Sequence, residues 1–337
     1  MNEEIEIGGL MKDVFKKRAL IVCIAVILCA GGLCMAQEDV SKYPTRPITC
    51  IIPFSPGGSA DLAIRLLSKE LEKNLGQPIV VVNKPGGGGS IGVSAVAVAK
   101  PDGYTIGQSP GGAPLFIMPF LEKLPYHPVK DFRYVVQFVE LNFGVAVKAD
   151  SPLKSFKDLI DYARQNPGKT TYGTNAPNSI ANLVMEQVAK KGKVQFTHIP
   201  FKSSPEYLAA VLGDHIIFSA GDFNHALVES GKVRLLAFLS EKAPPEYAQI
   251  PTLKELGYDV PCPVFLGILG PKGMPDEIVR KLEDAFVRAL KEPAVIKGLS
   301  ELHLTMFYRN GKDLTEYVGR NYDAFGQLLK EMGLAKQ

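Results

Sequence analysis

The sequence predicts an α/β protein. Short apolar strands alternate with amphipathic helices, and twice a strand ends in a polar turn, free of cations, that opens straight into a helix. The 337 residues suffice for two such α/β halves with cores of their own and a helical C-terminal section.

Taken in order, a polar linker (Gln37 to Lys42) and Tyr43-Pro44-Thr45-Arg46-Pro47 lead into a buried strand, Thr49 to Ile52. Pro53-Phe54-Ser55-Pro56-Gly57-Gly58 stops that strand. From Ser59 to Leu75 the pattern is helical, with Leu62, Leu66, Leu67, Leu71 and Leu75 at three- and four-residue spacing and Gly76 as its stop. The first amides of such a helix have no intrahelical partner and, with the helix dipole, attract negative oxygen atoms. No lysine or arginine lies between Pro53 and Ala60, so an anion here would be held by backbone N–H groups and hydroxyls. A plain strand-to-helix turn would read the same on this stretch alone. Ile79 to Val82 is a second strand, Ser90 opens a helix over Ile91 to Ala99, and Tyr104 to Gln108 is a third strand. The alternation argues a parallel sheet with functional loops at the strand C-terminal ends.

The middle repeats the theme. Extended segments fill Val135 to Val147, and Ser155 caps a helix with Asp158 three residues on and Phe156, Leu159, Ile160 and Ala163 inward. A strand at Thr170 to Gly173 breaks at Thr174-Asn175-Ala176-Pro177-Asn178-Ser179, and a helix continues through Leu183, Val184 and Val188. Further strands are read at Val194 to Ile199, Ile216 to Phe218, Val233 to Phe238 and Phe265 to Leu269. Helices begin at Ser204 and Pro275, and a last one runs from about Asp313 to Met332.

Composition narrows the function. Net charge is +3 with both signs interspersed, which excludes the basic face of a nucleic-acid binder. Lys12, Lys16, Lys17 and Arg18 precede an apolar run from Ala19 to Leu33, and Cys34-Met35-Ala36 offers small residues for a cut before Gln37. That is the layout of a signal peptide over about 11–36, so the chain is expected to be exported to the periplasm, with Met11 a candidate start. Three of the five cysteines leave with it, and Cys50 and Cys262 are expected as two buried thiols rather than a disulfide.

Catalytic motifs fare poorly. Gly87, Gly89 and Gly92 fit a dinucleotide fingerprint, but the next strand ends Gly107-Gln108-Ser109 without the acid a ribose needs. Gly88-Gly89-Ser90-Ile91-Gly92 fits a nucleophile elbow, with Asp222 and His303 following in a permissible order, and Ser90 is the enzyme alternative. Its serine lies eight residues past the strand, too far for a tight elbow. Gly168-Lys169-Thr170 lacks the first glycine of a P-loop, Ala163 standing there. The histidines, His127, His198, His215, His225 and His303, show no metal-ligand spacing, so no metal or cofactor is expected.

Tyr43-Pro44-Thr45-Arg46-Pro47-Ile48 with Pro53-Phe54-Ser55-Pro56-Gly57-Gly58 and Asp61 resembles the opening signature of the Bug family, extracytoplasmic solute receptors of tripartite tricarboxylate transporters. The likeness continues through Gly76-Gln77-Pro78, Val82-Asn83-Lys84-Pro85-Gly86, Lys100-Pro101-Asp102-Gly103-Tyr104-Thr105, Tyr172-Gly173-Thr174, Ile250-Pro251-Thr252 and Gly270-Pro271-Lys272-Gly273. It implies a type II periplasmic-binding-protein fold, with two α/β domains around an interdomain ligand cleft and two crossing strands. The domains would be 37–143 plus 262–337, and 144–261. It also implies a monomer that hands a small carboxylate (a di- or tricarboxylate or an aromatic acid) to membrane permease subunits. A receptor that reports to a sensor kinase is the alternative. Carried over, the ligand lies between Phe54, Ser55, Pro56, Gly57, Gly58, Ser59 and Asp61 on one side and Thr174, Asn175, Asn178, Ser179 and Asn182 on the other. Asp61, in the first helical turn, fits the role of stabilising that helix end better than that of touching an anion. Many relatives have histidine at Asn182 and aspartate at Ser219; serine cannot pair with a ligand ammonium, which argues against an amino acid.

Overall fold

The computed structural model describes residues 40–335, so the export segment read over 1–36 lies outside it. Residues 40–43, with a 3-10 turn at Val40–Lys42, belong to a unit distinct from Pro44 onward. The second unit holds two sheets. The six-stranded sheet has the order β11-β4-β10-β3-β1-β2, built from β1 (Ile48–Ile52), β2 (Ile79–Asn83), β3 (Thr105–Ser109), β4 (Phe132–Glu140), β10 (Phe265–Pro271) and β11 (Thr305–Asn310). The five-stranded sheet has the order β7-β6-β8-β5-β9, from β5 (Gly144–Lys148), β6 (Thr170–Thr174), β7 (Phe196–Pro200), β8 (Phe218–Gly221) and β9 (Val233–Phe238).

The strands that alternate with helices pair in parallel as expected, but both sheets are mixed. β1 pairs in parallel with β2 and β3, and β6 with β7 and β8, but β10 runs antiparallel to β3 and β5 antiparallel to β8. The reason is topological: β5 and β10 are the strands by which the chain enters each sheet after leaving the other, so they arrive from the opposite end. The crossing segments lie side by side, with Leu141 N–H on Val264 O at 3.1 Å and Leu239 N–H on Phe143 O at 2.7 Å.

Helices cover the sheets where apolar periodicity demands it. α1 (Ser59–Leu75) buries Ala63, Ile64, Leu67 and Leu71 and ends at left-handed Gly76. α2 (Ser90–Ala97) packs on β1, β3 and β10, so close that a Cβ on Gly92 would lie 2.6 Å from Pro53 Cα. Two single turns, α3 (Ala113–Phe116) and α4 (Met118–Leu121), follow β3. In the second half α5 (Phe156–Gln165) starts with a full capping box between Ser155 and Asp158. α6 (Ile180–Gly192), α7 (Ser204–Leu212) and α8 (His225–Glu229) complete that half. α9 (Asp276–Ala289) lies on α1, and α10 (Pro293–Glu301) precedes β11. α11 (Gly311–Glu331) backs β4. One apolar cluster runs continuously from Phe116, Tyr134 and Phe325 to Leu159, Leu183 and Phe218. No helix among the described residues is long and apolar enough to cross a membrane.

The strand read at Ile216 to Phe218 begins only at Phe218, where Val147 pairs with it. Ile216 instead joins Tyr207, Leu208 and Val211 under α7, so its apolar character serves a helix contact rather than a ladder. Cys50 and Cys262 are both buried thiols without a disulfide.

Glu140 ends β4 at the crossing and is only 6% exposed. Its Oε1 accepts the Glu241 N–H at 3.0 Å, while Oε2 has no partner among the described residues. Burial outweighs that hydrogen bond and pushes the carboxyl from 4.5 up to about 7. With the folded value the higher one, stability falls as pH rises from 4.5 towards about 7. Glu140→Gln keeps the acceptor and removes the charge. It should raise the melting temperature at pH 8, by the equivalent of about 2–3 kcal/mol, and change little at pH 4.5; melting curves at the two pH values check this.

Candidate functional site

The turn after β1 is shaped by its own helix. Gly57 adopts φ 83 and Gly58, the N-cap of α1, is extended at φ −77, ψ 165. The cap has no side chain, so no side-chain oxygen caps the first amides of α1. Asp61, 2% exposed in the first helical turn, reaches back to accept the Gly57 N–H at 2.9 Å. Its carboxylate also accepts Arg65 Nε at 3.0 Å and Asn83 Nδ2 at 2.9 Å. Asn83 Nδ2 further donates to Phe54 O at 3.0 Å, tying the turn to β2. Burial pushes the Asp61 carboxyl up, but the bond from Arg65, then those from the Gly57 amide and Asn83, outweigh it and hold the pKa below the usual 3.8.

The turn after β6 repeats this construction. Asn178 adopts φ 55, and Ser179 caps α6 at φ −68, ψ 161. Asn182 stands where Asp61 stands in α1, third in its helix, and its Oδ1 accepts the Asn178 N–H at 3.0 Å. Its Nδ2 donates to the Tyr172 hydroxyl at 2.7 Å, which in turn donates to Glu186 Oε1 at 3.1 Å. Ser179 Oγ takes the Asn182 N–H at 3.3 Å and donates to Thr174 Oγ1 at 3.0 Å. Thr174 Oγ1 also lies 2.9 Å from His198 Nε2, and burial lowers the His198 pKa.

Both turns open onto one cavity of about 550 Å³. Phe54, Gly58, Ser59 and Ala60 line one side, and Asn175, Ala176, Pro177, Asn178, Ser179 and Ile180 another. Of the residues singled out in the sequence, Ser55, Pro56, Gly57, Asp61, Thr174, Asn182 and Ser219 are not in the lining. Asp61, Thr174 and Asn182 are buried behind it as the supports just described, and Ser219 is 1% exposed within β8, paired with Ala146 and Gly173.

The remaining walls have no counterpart in the sequence reading. Ile117, Met118 and Leu121 come from α3 and α4 and the join between them, and Leu141, Phe143, Val264 and Leu266 from the crossing region. Gly88 and Pro110-Gly111-Gly112 complete the enclosure. Gly111 and Gly112 take φ 54 and 68, and a Cβ on Gly111 would meet Phe265 N at 2.6 Å. A strand followed by a glycine pair is the same signal that marked Gly57-Gly58, and it could have exposed this third turn. Among the described residues, no Lys, Arg, His, Asp or Glu lines the cavity. Its polar character comes from helix amides, Ser and Asn; the rest is apolar.

Ser90 starts α2 beside the glycine run, whose four members all have positive φ. His303 stacks on His225 with ring centroids 3.9 Å apart, and the Asp222 carbonyl accepts the Tyr207 hydroxyl at 2.6 Å. Among the described residues no hydrogen bond joins Ser90, Asp222 and His303.

Two α/β lobes, two crossing segments and a shared cavity at paired helix N-termini define a solute-binding receptor of the periplasmic-binding class. Residues 63–334 match the family described as the tripartite tricarboxylate transporter family receptor. The chain belongs to that family. It is 37% identical to a Cupriavidus necator protein named for the gbd 5′ region, over 93% of this chain and 96% of the other. A solute-binding protein of the family from Polaromonas superposes with TM-score 0.79 at 28% identity, covering 86% of this chain and 99% of its own. An R. palustris protein solved with adipate gives 0.70 at 28% identity, covering 87% and 99%. Another, with bound malate, gives 0.66 at 26% identity, covering 85% and 100%.

Proposed function

We propose that this receptor captures a small carboxylate with an apolar body, seating one carboxylate group between the turns at Gly58–Ala60 and Asn178–Ile180. The observation that carries this reading is the cavity lining: two helix N-termini face one space that, among the described residues, holds no charged side chain. Amides of α1 and α6, with the Ser59 and Asn175 side chains, supply the donors. Phe54, Phe143, Ile117 and Met118 supply an apolar wall for the body of the acid. The acids bound by the two R. palustris relatives support the class. An aromatic or linear aliphatic acid fits these walls better than a tricarboxylate. The absence of an acid from the lining disfavours an amino acid, whose ammonium would have no partner.

In this reading the lobes, 37–143 with 262–337 and 144–261, close on the ligand by bending at the crossing segments, and the closed monomer docks on a membrane permease. The chain is exported by its N-terminal segment, and the ligand leaves chemically unchanged. A thermal-shift panel of benzoate, adipate, citrate and glutamate tests the proposal. At a hundredfold excess over Kd, a bound acid adds about 2.7 kcal/mol, or about 4 °C for a chain of this size. A shift with benzoate or adipate and none with glutamate is expected; tight glutamate binding with no response to simple acids would overturn it.

A further inference from the structure

Three side chains that no sequence spacing connects meet at the surface: His225, Glu246 and His303. Each offers one ligand atom, and these atoms all lie within 4.8 Å of one another. His225 opens α8 and Glu246 lies in the 3-10 turn Pro245–Tyr247, both in the stretch between β8 and β10. His303 comes from the other half, between α10 and the edge strand β11 of the six-stranded sheet. The two imidazoles stack at 3.9 Å between centroids and 16° between planes. His225 Nδ1 is 3.1 Å from the Tyr247 hydroxyl, and the Phe223 ring lies 4.6 Å from its own. His303 sits at φ 53, a left-handed conformation uncommon outside glycine and asparagine.

We propose that His225, Glu246 and His303 form a site for a divalent transition metal, Zn²⁺ or the similar Ni²⁺ and Cu²⁺, that links the two halves of the receptor. Two imidazoles and a carboxylate are the donor set of such ions, whereas Mg²⁺ and Ca²⁺ require a shell of oxygens. The Tyr247 hydroxyl lies 3.1 Å from His225 Nδ1; in the tautomer where Nδ1–H donates to it the lone pair stands on Nε2, the outer-shell arrangement that metal-binding histidines use. Stacked rings hold their lone pairs side by side, so the His303 ring turns about its side-chain torsions to receive an ion against the held His225. His303 and Glu246 are exposed and have that freedom. Because the donors come from both halves, the ion binds the arrangement in which His303 meets His225 and favours it over any arrangement that parts them.

The test is calorimetric titration of ZnCl₂ into the chain purified without a polyhistidine tag, with MgCl₂ as control. His303→Asn keeps a residue that tolerates positive φ and should fold as the wild type does. The wild type is expected to take one Zn²⁺ per chain and no Mg²⁺. His303→Asn and His225→Ala should each weaken zinc binding by about tenfold or more. Zinc should also raise the melting temperature of the wild type and not that of His303→Asn. A wild type that takes no zinc, or a folded His303→Asn that binds it as tightly as the wild type, overturns the proposal.

Discussion

Gly58→Asp is expected to abolish carboxylate binding while leaving the protein folded. Gly58 has φ −77, which any residue adopts, and a Cβ there would come no nearer than 3.6 Å to Ser55 O. Aspartate is also a better N-cap than glycine, so α1 should gain a few tenths of a kcal/mol, roughly 0.3. The same side chain puts a negative charge where the anion is proposed to sit. Like charges brought together without water cost several kcal/mol, so affinity should fall by more than about 100-fold. Gly58→Asn gives the same cap without the charge and should keep part of the binding. Calorimetry against the best acid from the thermal-shift panel, beside a denaturation curve, reads both effects. Wild-type affinity in Gly58→Asp would remove the carboxylate from this turn.

The second large effect concerns the paired supports behind the cavity. Asp61→Ala strips the Gly57 amide and Asn83 of their acceptor and should cost about 2–3 kcal/mol, the value of hydrogen bonds to a charged group. Half-exposed Arg65 adds little to that figure. Since the folded pKa of Asp61 is the depressed one, its stabilisation is present above the ordinary value of 3.8 and is lost as pH falls through the folded value. The gap between wild type and Asp61→Ala should therefore narrow in acid. Asn182→Ala removes the equivalent support in the other lobe, but with neutral partners, and should cost about 1–2 kcal/mol with no such pH dependence. Urea unfolding at pH 7 and pH 3 distinguishes the two; a pH-independent Asp61→Ala penalty would show that charge plays no part in holding the first turn.

The turns were legible because proline and glycine end a strand abruptly and an apolar helical period follows at once. That is a local signal, complete within about a dozen residues. The mixed sheets were not legible, since β5 and β10 look like any other apolar strand; only the path of the chain reverses them. The apolar walls were hidden for a similar reason. Ile117, Met118 and Leu121 are apolar side chains that sequence alone does not separate from core, and nothing near Phe143 or Val264 announces that two distant segments will run side by side. The Asp61–Asn182 correspondence was hidden too, because residues of different charge perform the same backbone contact. His225 and His303 meet only through the tertiary fold.

Among the described residues no charged side chain lines the cavity, which has a practical consequence if the receptor works, as proposed, in an exported setting whose salinity follows the surroundings. Attraction between full charges fades as ions crowd in, with a Debye length of about 10 Å at 0.1 M and about 3 Å at 1 M. Amides fixed in an enclosed pocket form no counter-ion cloud to be exchanged. Affinity should therefore stay nearly level between dilute buffer and seawater strength. A receptor built in this way would keep its grip through changes of osmotic weather.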